Sequence, residues 1–292
     1  LVFDRFFKDD KQALSHYMEM LHRVAGRLAQ YSNVIGYDMM NEPWSNAAAL
    51  DPFYARAGAT IRQMHPTAML FFEPEVPPMG PLVPISASEI VLPPLGNVVL
   101  APHYYSADLF VFNAWLGDGP GLILSKWKKK ADGWNIPMLL GEFGASSTVG
   151  NAGGDMAAIY SWLDRNYVSA TQWSYTPAWT AQGKDGWNRE DLSIVDDHLQ
   201  LRSALFVPRP YPQKTAGKPV SFEPLAAGFK YSWINDPTMG GGKTEFYIPN
   251  GSSNGMKLKT APFWARVACS AASDHLTVCE SNYQGQLTVT LK

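Results

Sequence analysis

Residues 33–43 read Asn33-Val34-Ile35-Gly36-Tyr37-Asp38-Met39-Met40-Asn41-Glu42-Pro43. A short, mostly apolar run ends on two polar side chains and a proline. The run is too short for an ordinary helix and fits a strand buried on both faces. Proline gives no N–H to a strand ladder and restricts the residue before it. The strand therefore stops with Asn41 and Glu42 displayed at its C-terminal end, the end at which parallel α/β sheets bind ligands.

The same grammar recurs on both sides. Upstream, 10–31 (DKQALSHYMEMLHRVAGRLAQY) has Leu14, Tyr17, Met18, Leu21, Val24 and Leu28 on one helical face. Downstream, Asp51-Pro52 is expected to open a helix over 51–65 as N-cap and first helical residue. Strands follow at 68–74 (AMLFFEP), 97–105 (NVVLAPHYY), 137–144 (PMLLGEFG) and 169–177 (SATQWSYTP). An apolar, proline-rich loop spans 76–96, and helices are expected at 121–133, 153–167 and 198–205. Alternation of buried strands with helices predicts an α/β fold with a parallel sheet. After Pro208-Arg209-Pro210 the pattern changes to TEFYIP, FWARVACS, LTVCES and QLTVTL among Gly, Pro and Asn breaks. These predict a small antiparallel β-domain over 208–292, after a first domain over 1–207.

Composition narrows the function classes. With 46% hydrophobic and 17% charged residues, the chain holds a large core and is not disordered. A net charge of −2 with scattered Lys and Arg gives no electrostatic footprint for nucleic acid. No apolar run reaches the roughly 18 residues of a membrane span. The ten Trp suit core packing and equally suit stacking on sugar rings. Cys269 and Cys279 fit a disulfide between two strand segments, as in a secreted protein, or two buried thiols. The first residue is Leu1, with no signal peptide before it; processing or an incomplete sequence would give such a start.

The strand ends carry the chemistry. Glu42 and Glu142 each close an apolar strand, Glu142 within Gly141-Glu142-Phe143-Gly144. Partial desolvation there raises a carboxyl pKa, so one acid can hold a proton while its neighbour is ionised. Retaining glycosidases use that division, with carboxyls about 5–5.5 Å apart. Either Glu could instead cap a helix or pair with an Arg. His103 and Tyr105, two apart on a strand, point to one side; Tyr105 could align Glu142, and His103 could bond to a substrate hydroxyl or be a satisfied core histidine. Trp173 could floor a sugar site or pack in the core.

Asn41-Glu42-Pro43, His103-x-Tyr105, Gly141-Glu142-Phe143-Gly144 and Trp173, in this order, resemble glycoside hydrolase family 5, whose members are (β/α)8 retaining enzymes. Asp185-Gly-Trp-Asn-Arg-Glu-Asp-Leu-Ser-Ile-Val-Asp196 resembles the endoglycoceramidases within it. The resemblance implies a (β/α)8 barrel, N-terminally incomplete with about five βα units visible, and a C-terminal β-sandwich. It implies Glu42 as acid/base, Glu142 as nucleophile, and Asn41 on the sugar 2-hydroxyl. It implies a glycosphingolipid or other β-glycoside as substrate, with no cofactor and no metal. Apolar residues suited to a lipid are Val76, Met79, Leu82, Val83, Leu109, Phe110, Val111, Phe112, Trp115 and Trp179, which would also suit ordinary loop packing. Contact with a membrane or micelle surface and a secreted location are expected with such a substrate. The family has its acid/base after the fourth strand, whereas Glu42 follows the first strand visible here. The expectation is a fragment or processed product that needs an N-terminal piece to complete its barrel. A soluble, cooperatively unfolding monomer with full activity would contradict it.

Overall fold

The computed structural model describes residues 2–75, 90–117, 119–178, 180, 182, 191–225, 228–249 and 258–291. Among them, the first parallel strands are β1 (Gly36–Asp38), β2 (Met69–Phe72) and β3 (Val98–Leu100), paired in that order. β4 (His103–Tyr104), β5 (Leu139–Phe143) and β6 (Ser169–Gln172) pair likewise. Backbone bonds join the two sets: Leu100 N–H donates to Pro137 O at 3.1 Å and Gly141 N–H to Pro102 O at 3.0 Å. The single strand expected over 97–105 is thus two pieces, because Pro102 has no N–H for the ladder. The result is a partial (β/α) barrel wall with β1 and β6 outermost. Among the described residues, no strand pairs with the free side of either.

Helices pack onto this wall. α1 (Val2–Phe7) leads to α2 (Ala13–Leu28), which buries Met18, Leu21 and Ala25. Val24, expected on the buried face, is exposed. α3 (Ala47–Met64) begins before Asp51-Pro52: Asn46 is the N-cap, its side chain accepting from Ala49 N–H at 3.1 Å. Alanines 47–49 have the highest helix propensity, so the helix starts there and carries Pro52 inside it. Leu50, Phe53, Tyr54, Ala57 and Ile61 form its buried stripe, the larger of them contributing on the order of 1.5–3 kcal/mol each. α4 (Ala107–Phe112), α5 (Pro120–Gly133) and α6 (Ala152–Asn166) complete the described helices longer than one turn. The expected helix over 198–205 is absent. Asp196 Oδ1 accepts from His198 and Gln200 N–H at 2.9 and 2.8 Å, making a turn that returns Leu201 to pair with Val195. Short-range bonding by Asp competes with helix formation in this way. The expected strand over 169–177 ends at Gln172.

The chain divides into two compact units, one of 1–159 with 168–205 and one of 160–167 with 206–292. The second holds β7 (Tyr211–Lys214), β8 (Gly217–Leu225), β9 (Gly228–Asn235), β10 (Lys243–Tyr247), β11 (Leu258–Ala261), β12 (Ala268–Ser273), β13 (Leu276–Glu280) and β14 (Gly285–Leu291). They form antiparallel sheets of order β12-β13-β10-β7 and β11-β14-β9-β8, a sandwich-like domain. Phe229, Tyr231, Trp233, Phe246, Leu287, Val289 and Leu291 build its core. Buried Asn235 is satisfied: Oδ1 accepts from Trp233 Nε1 at 3.0 Å and Nδ2 donates to the carbonyls of Ser281 and Tyr283. Cys269 and Cys279 stand opposite each other on β12 and β13 and form a disulfide.

Candidate active site

The ends of β1, β2, β4 and β5 bring four carboxyls around one imidazole. Met39 N–H still bonds to Phe71 O at 3.1 Å, so pairing with β2 reaches one residue past β1 before the bends at Asn41-Glu42. Glu42 takes a left-handed conformation, φ 44, which costs a non-glycine residue roughly 1–2 kcal/mol. Its N–H donates to Glu73 Oε2 at 3.1 Å. Its carboxylate faces His103: Nδ1 to Glu42 Oε1 is 3.0 Å, and the same nitrogen lies 3.6 Å from Glu142 Oε2. The other ring nitrogen, Nε2, faces Glu73 Oε1 at 3.2 Å. That contact is an ion pair rather than a well-aligned hydrogen bond, since the oxygen meets no hydrogen-bond geometry.

Burial works against charging His103. Its hydrogen bond to Glu42, its close contact with Glu73 and the charges of Glu73 and Glu142 outweigh this and lift it to about 10. At neutral pH it is an imidazolium with both N–H groups aimed at carboxylates. Ligand atoms of Asp38, Glu73 and His103, and of Glu42, His103 and Glu142, each lie within 4.8 Å of one another. His103 Nδ1 is engaged by Glu42, and Nε2 faces Glu73.

Glu142 pairs across β4–β5 with His103. Tyr105 OH donates to Glu142 Oε1 at 2.5 Å. Desolvation raises the Glu142 carboxyl above its usual range, and the Tyr105 bond and His103 charge pull it back down. The carboxyl oxygens of Glu42 and Glu142 that meet at His103 lie within 4.8 Å of each other. Oxygens this near are compatible with the roughly 5–5.5 Å carboxyl spacing of double displacement.

The glycines of Gly141-Glu142-Phe143-Gly144 allow the close approach. A Cβ at Gly141 would stand 3.0 Å from Ala101 O and 3.1 Å from His103 Cδ2. One at Gly144 would stand 2.2 Å from the carbonyl oxygen of Trp173. Trp173 follows β6, half-buried, its N–H bonded to Phe143 O at 2.8 Å. Asn41 is exposed at the end that carries Glu42. Trp179, the loop residues Val76, Met79, Leu82 and Val83, and residues 185–190 of the Asp185–Asp196 segment lie outside the described residues. Leu109 is buried, whereas Val111 and Phe112 are exposed.

Residues 1–178 match the cellulase (glycosyl hydrolase family 5) pattern, and 209–291 match the family 5 C-terminal domain. The chain belongs to glycoside hydrolase family 5. Among solved structures it is similar to endo-glycoceramidase II from Rhodococcus sp. in a five-membered iminocyclitol complex, with a TM-score of 0.73 at 19% identity over 99% of this chain and 68% of that one. It is similar to an endogalactoceramidase, with a TM-score of 0.66 at 20% identity over 99% and 65%. It is similar to Cryptococcus neoformans sterylglucosidase 1, with a TM-score of 0.59 at 18% identity over 84% and 44%. At these identities the likeness is one of fold. The chain thus spans about two thirds of the length of the glycoceramidases it matches. No curated protein matches it in sequence.

Within this family 5 site, two groups escaped the sequence reading. Glu73 closes β2 in Phe71-Phe72-Glu73-Pro74, the same strand–Glu–Pro grammar that marked Glu42. Asp38 interrupts an otherwise apolar strand. It is exposed, yet crowding by protein atoms, then the charge of and bond to Glu73, push it up to about 8.

Proposed function

We propose that this family 5 chain carries the reacting groups of a retaining β-glycosidase and that its substrate is a glycosphingolipid. The pairing of Glu42 and Glu142 around His103, within double-displacement distance, supports the chemistry. Glu142, aligned by Tyr105, attacks the anomeric carbon while Glu42, which enters this step protonated on the oxygen away from His103, gives that proton to the glycosidic oxygen, and the C–O bond breaks. The glycosyl ester cancels the charge of Glu142. Glu42 then takes a proton from water, whose oxygen attacks the same carbon and frees Glu142. Asn41 and Trp173 stand at the same strand ends to hold the sugar, and Trp179 remains a proposed contact.

The glycolipid reading is supported by the glycoceramidase fold and by the Asp185–Asp196 segment. A second reading, another β-glycoside such as a steryl glucoside, is supported by the fold shared with the sterylglucosidase. A secreted location, contact with a membrane or micelle surface, and completion of the barrel by further N-terminal βα units go with either reading.

Glycan release from a ganglioside should exceed release from a soluble β-glucan, measured by chromatography of the freed sugar. Glu142→Gln should lower either rate by about a thousandfold or more, as loss of a covalent nucleophile does. Equal low turnover with and without Glu142 would leave a non-catalytic glycolipid-binding protein. Preference for the glucan or a steryl glucoside would favour the second reading.

A further inference from the structure

Glu73 has not been given a task in this chemistry, yet it is only 1% exposed and lies directly against it. A buried carboxylate is costly unless its charge is compensated. Oε2 receives the N–H of Glu42 at 3.1 Å, and Oε1 faces His103 Nε2 at 3.2 Å. Its own backbone is held by Tyr54 on α3, whose OH donates to Glu73 O at 2.8 Å and receives Glu73 N–H at 3.2 Å. Tyr54 is fully buried, so the core reaches the site through this residue.

The Glu42 N–H belongs to a residue in the left-handed region. Such conformations persist where surrounding structure over-determines them, and the bond to Glu73 is one such restraint. The imidazole of His103 is fixed from opposite sides by Glu42 and Glu73. The groups facing it are Asp38 and Glu142 from the sheet, Glu42 after β1 and Glu73 after β2.

We propose that Glu73 is a positioning residue, holding Glu42 by its backbone and His103 by its ring so that the acid/base carboxyl is set against Glu142. The kinetic part rests on the hydrolase reading above; the geometric part does not. Without Glu73, Glu42 would lose a restraint on its left-handed turn, and His103 would lose one of its flanking charges.

The test uses the whole chain carrying Glu73→Gln, which keeps shape and an acceptor for Glu42 N–H but removes charge. The imidazole of His103 is followed by 15N NMR against pH. In the unaltered chain it should titrate near 10, and in Glu73→Gln at least about one unit lower. With an aryl β-glycoside, kcat should fall roughly tenfold with KM nearly unchanged, and the alkaline limb of the rate profile should move to lower pH. Glu73→Asp keeps the charge but withdraws it by one methylene. It should retain most of the His103 shift while amide exchange at Glu42 quickens, and it stands in if Glu73→Gln does not fold. Unchanged His103 titration and unchanged kcat in a folded variant would overturn the proposal. If the unaltered chain hydrolyses nothing, the proposed function fails, while the His103 titration still decides the role of Glu73.

Discussion

At the scale of the residue, Tyr105 and Glu142 form a pair whose balance is readable in pH. Burial lifts the Glu142 carboxyl, and the hydrogen bond from Tyr105 lowers it again. A nucleophile must be ionised, so the acid limb of kcat/KM should lie above the ordinary carboxylate range. Tyr105→Phe removes a bond that favours the ionised form, and should move that limb to higher pH. A limb that stays put or moves down would refute this assignment. Glu42, Glu142, His103 and Tyr105 were legible because strand-end placement and i, i+2 spacing are local properties of a sequence. Glu73 stands in the same local grammar, in Phe72-Glu73-Pro74. Asp38 was hidden, since its raised affinity for a proton comes first from desolvation by surrounding protein and then from Glu73, a neighbour only across the parallel pair. That both His103 nitrogens face carboxylates depends on three strands meeting, which spacing along one strand does not encode.

At the scale of the element, glycines decide how closely β5 and β6 approach. Gly144→Ala would drive a Cβ to 2.2 Å from a backbone carbonyl, which yields less readily than a flexible side chain. We expect a loss of about 1–3 kcal/mol from forced overpacking, measured by denaturant unfolding. Turnover should fall by more than the unfolded fraction explains, because the shift runs between Trp173 and the strand of Glu142. Turnover intact after correction for unfolding would show that the β5–β6 spacing is not tuned to the site. Strand existence was legible from apolar runs, but boundaries were not. Pro102 split one expected strand, and Asn46 with its alanines started a helix earlier than Asp51-Pro52 suggested. Near Asp196, side-chain bonds to two amides won over helix formation. In each case a single residue's hydrogen-bonding capacity, missing at Pro102 and added at Asn46 and Asp196, outweighed periodicity.

At the scale of the molecule, the parallel wall and the antiparallel sheets were both readable from the switch in pattern after Pro208-Arg209-Pro210. The membership of 160–167 in the second compact unit was not readable, because nothing in a helical repeat says which half of a helix packs where. The cluster of acids around His103 also bears on the stability of the whole chain. Asp38 and His103 hold protons more tightly folded than unfolded, at about 8 against 3.8 and about 10 against 6.5. Folding therefore takes up protons: the folded state binds more of them from about pH 4 to 8 through Asp38, and from about 6.5 to 10 through His103. By linkage, the contribution of Asp38 is complete only below about pH 4 and is lost by about pH 8, whereas that of His103 is complete up to about pH 6.5 and is lost by about pH 10. The denaturation midpoint should fall on going from pH 6 to pH 10, and Glu73→Gln should flatten that slope. The gathering of four carboxyls around one imidazole thus makes the protein a proton acceptor on folding, more vulnerable to alkali than to weak acid.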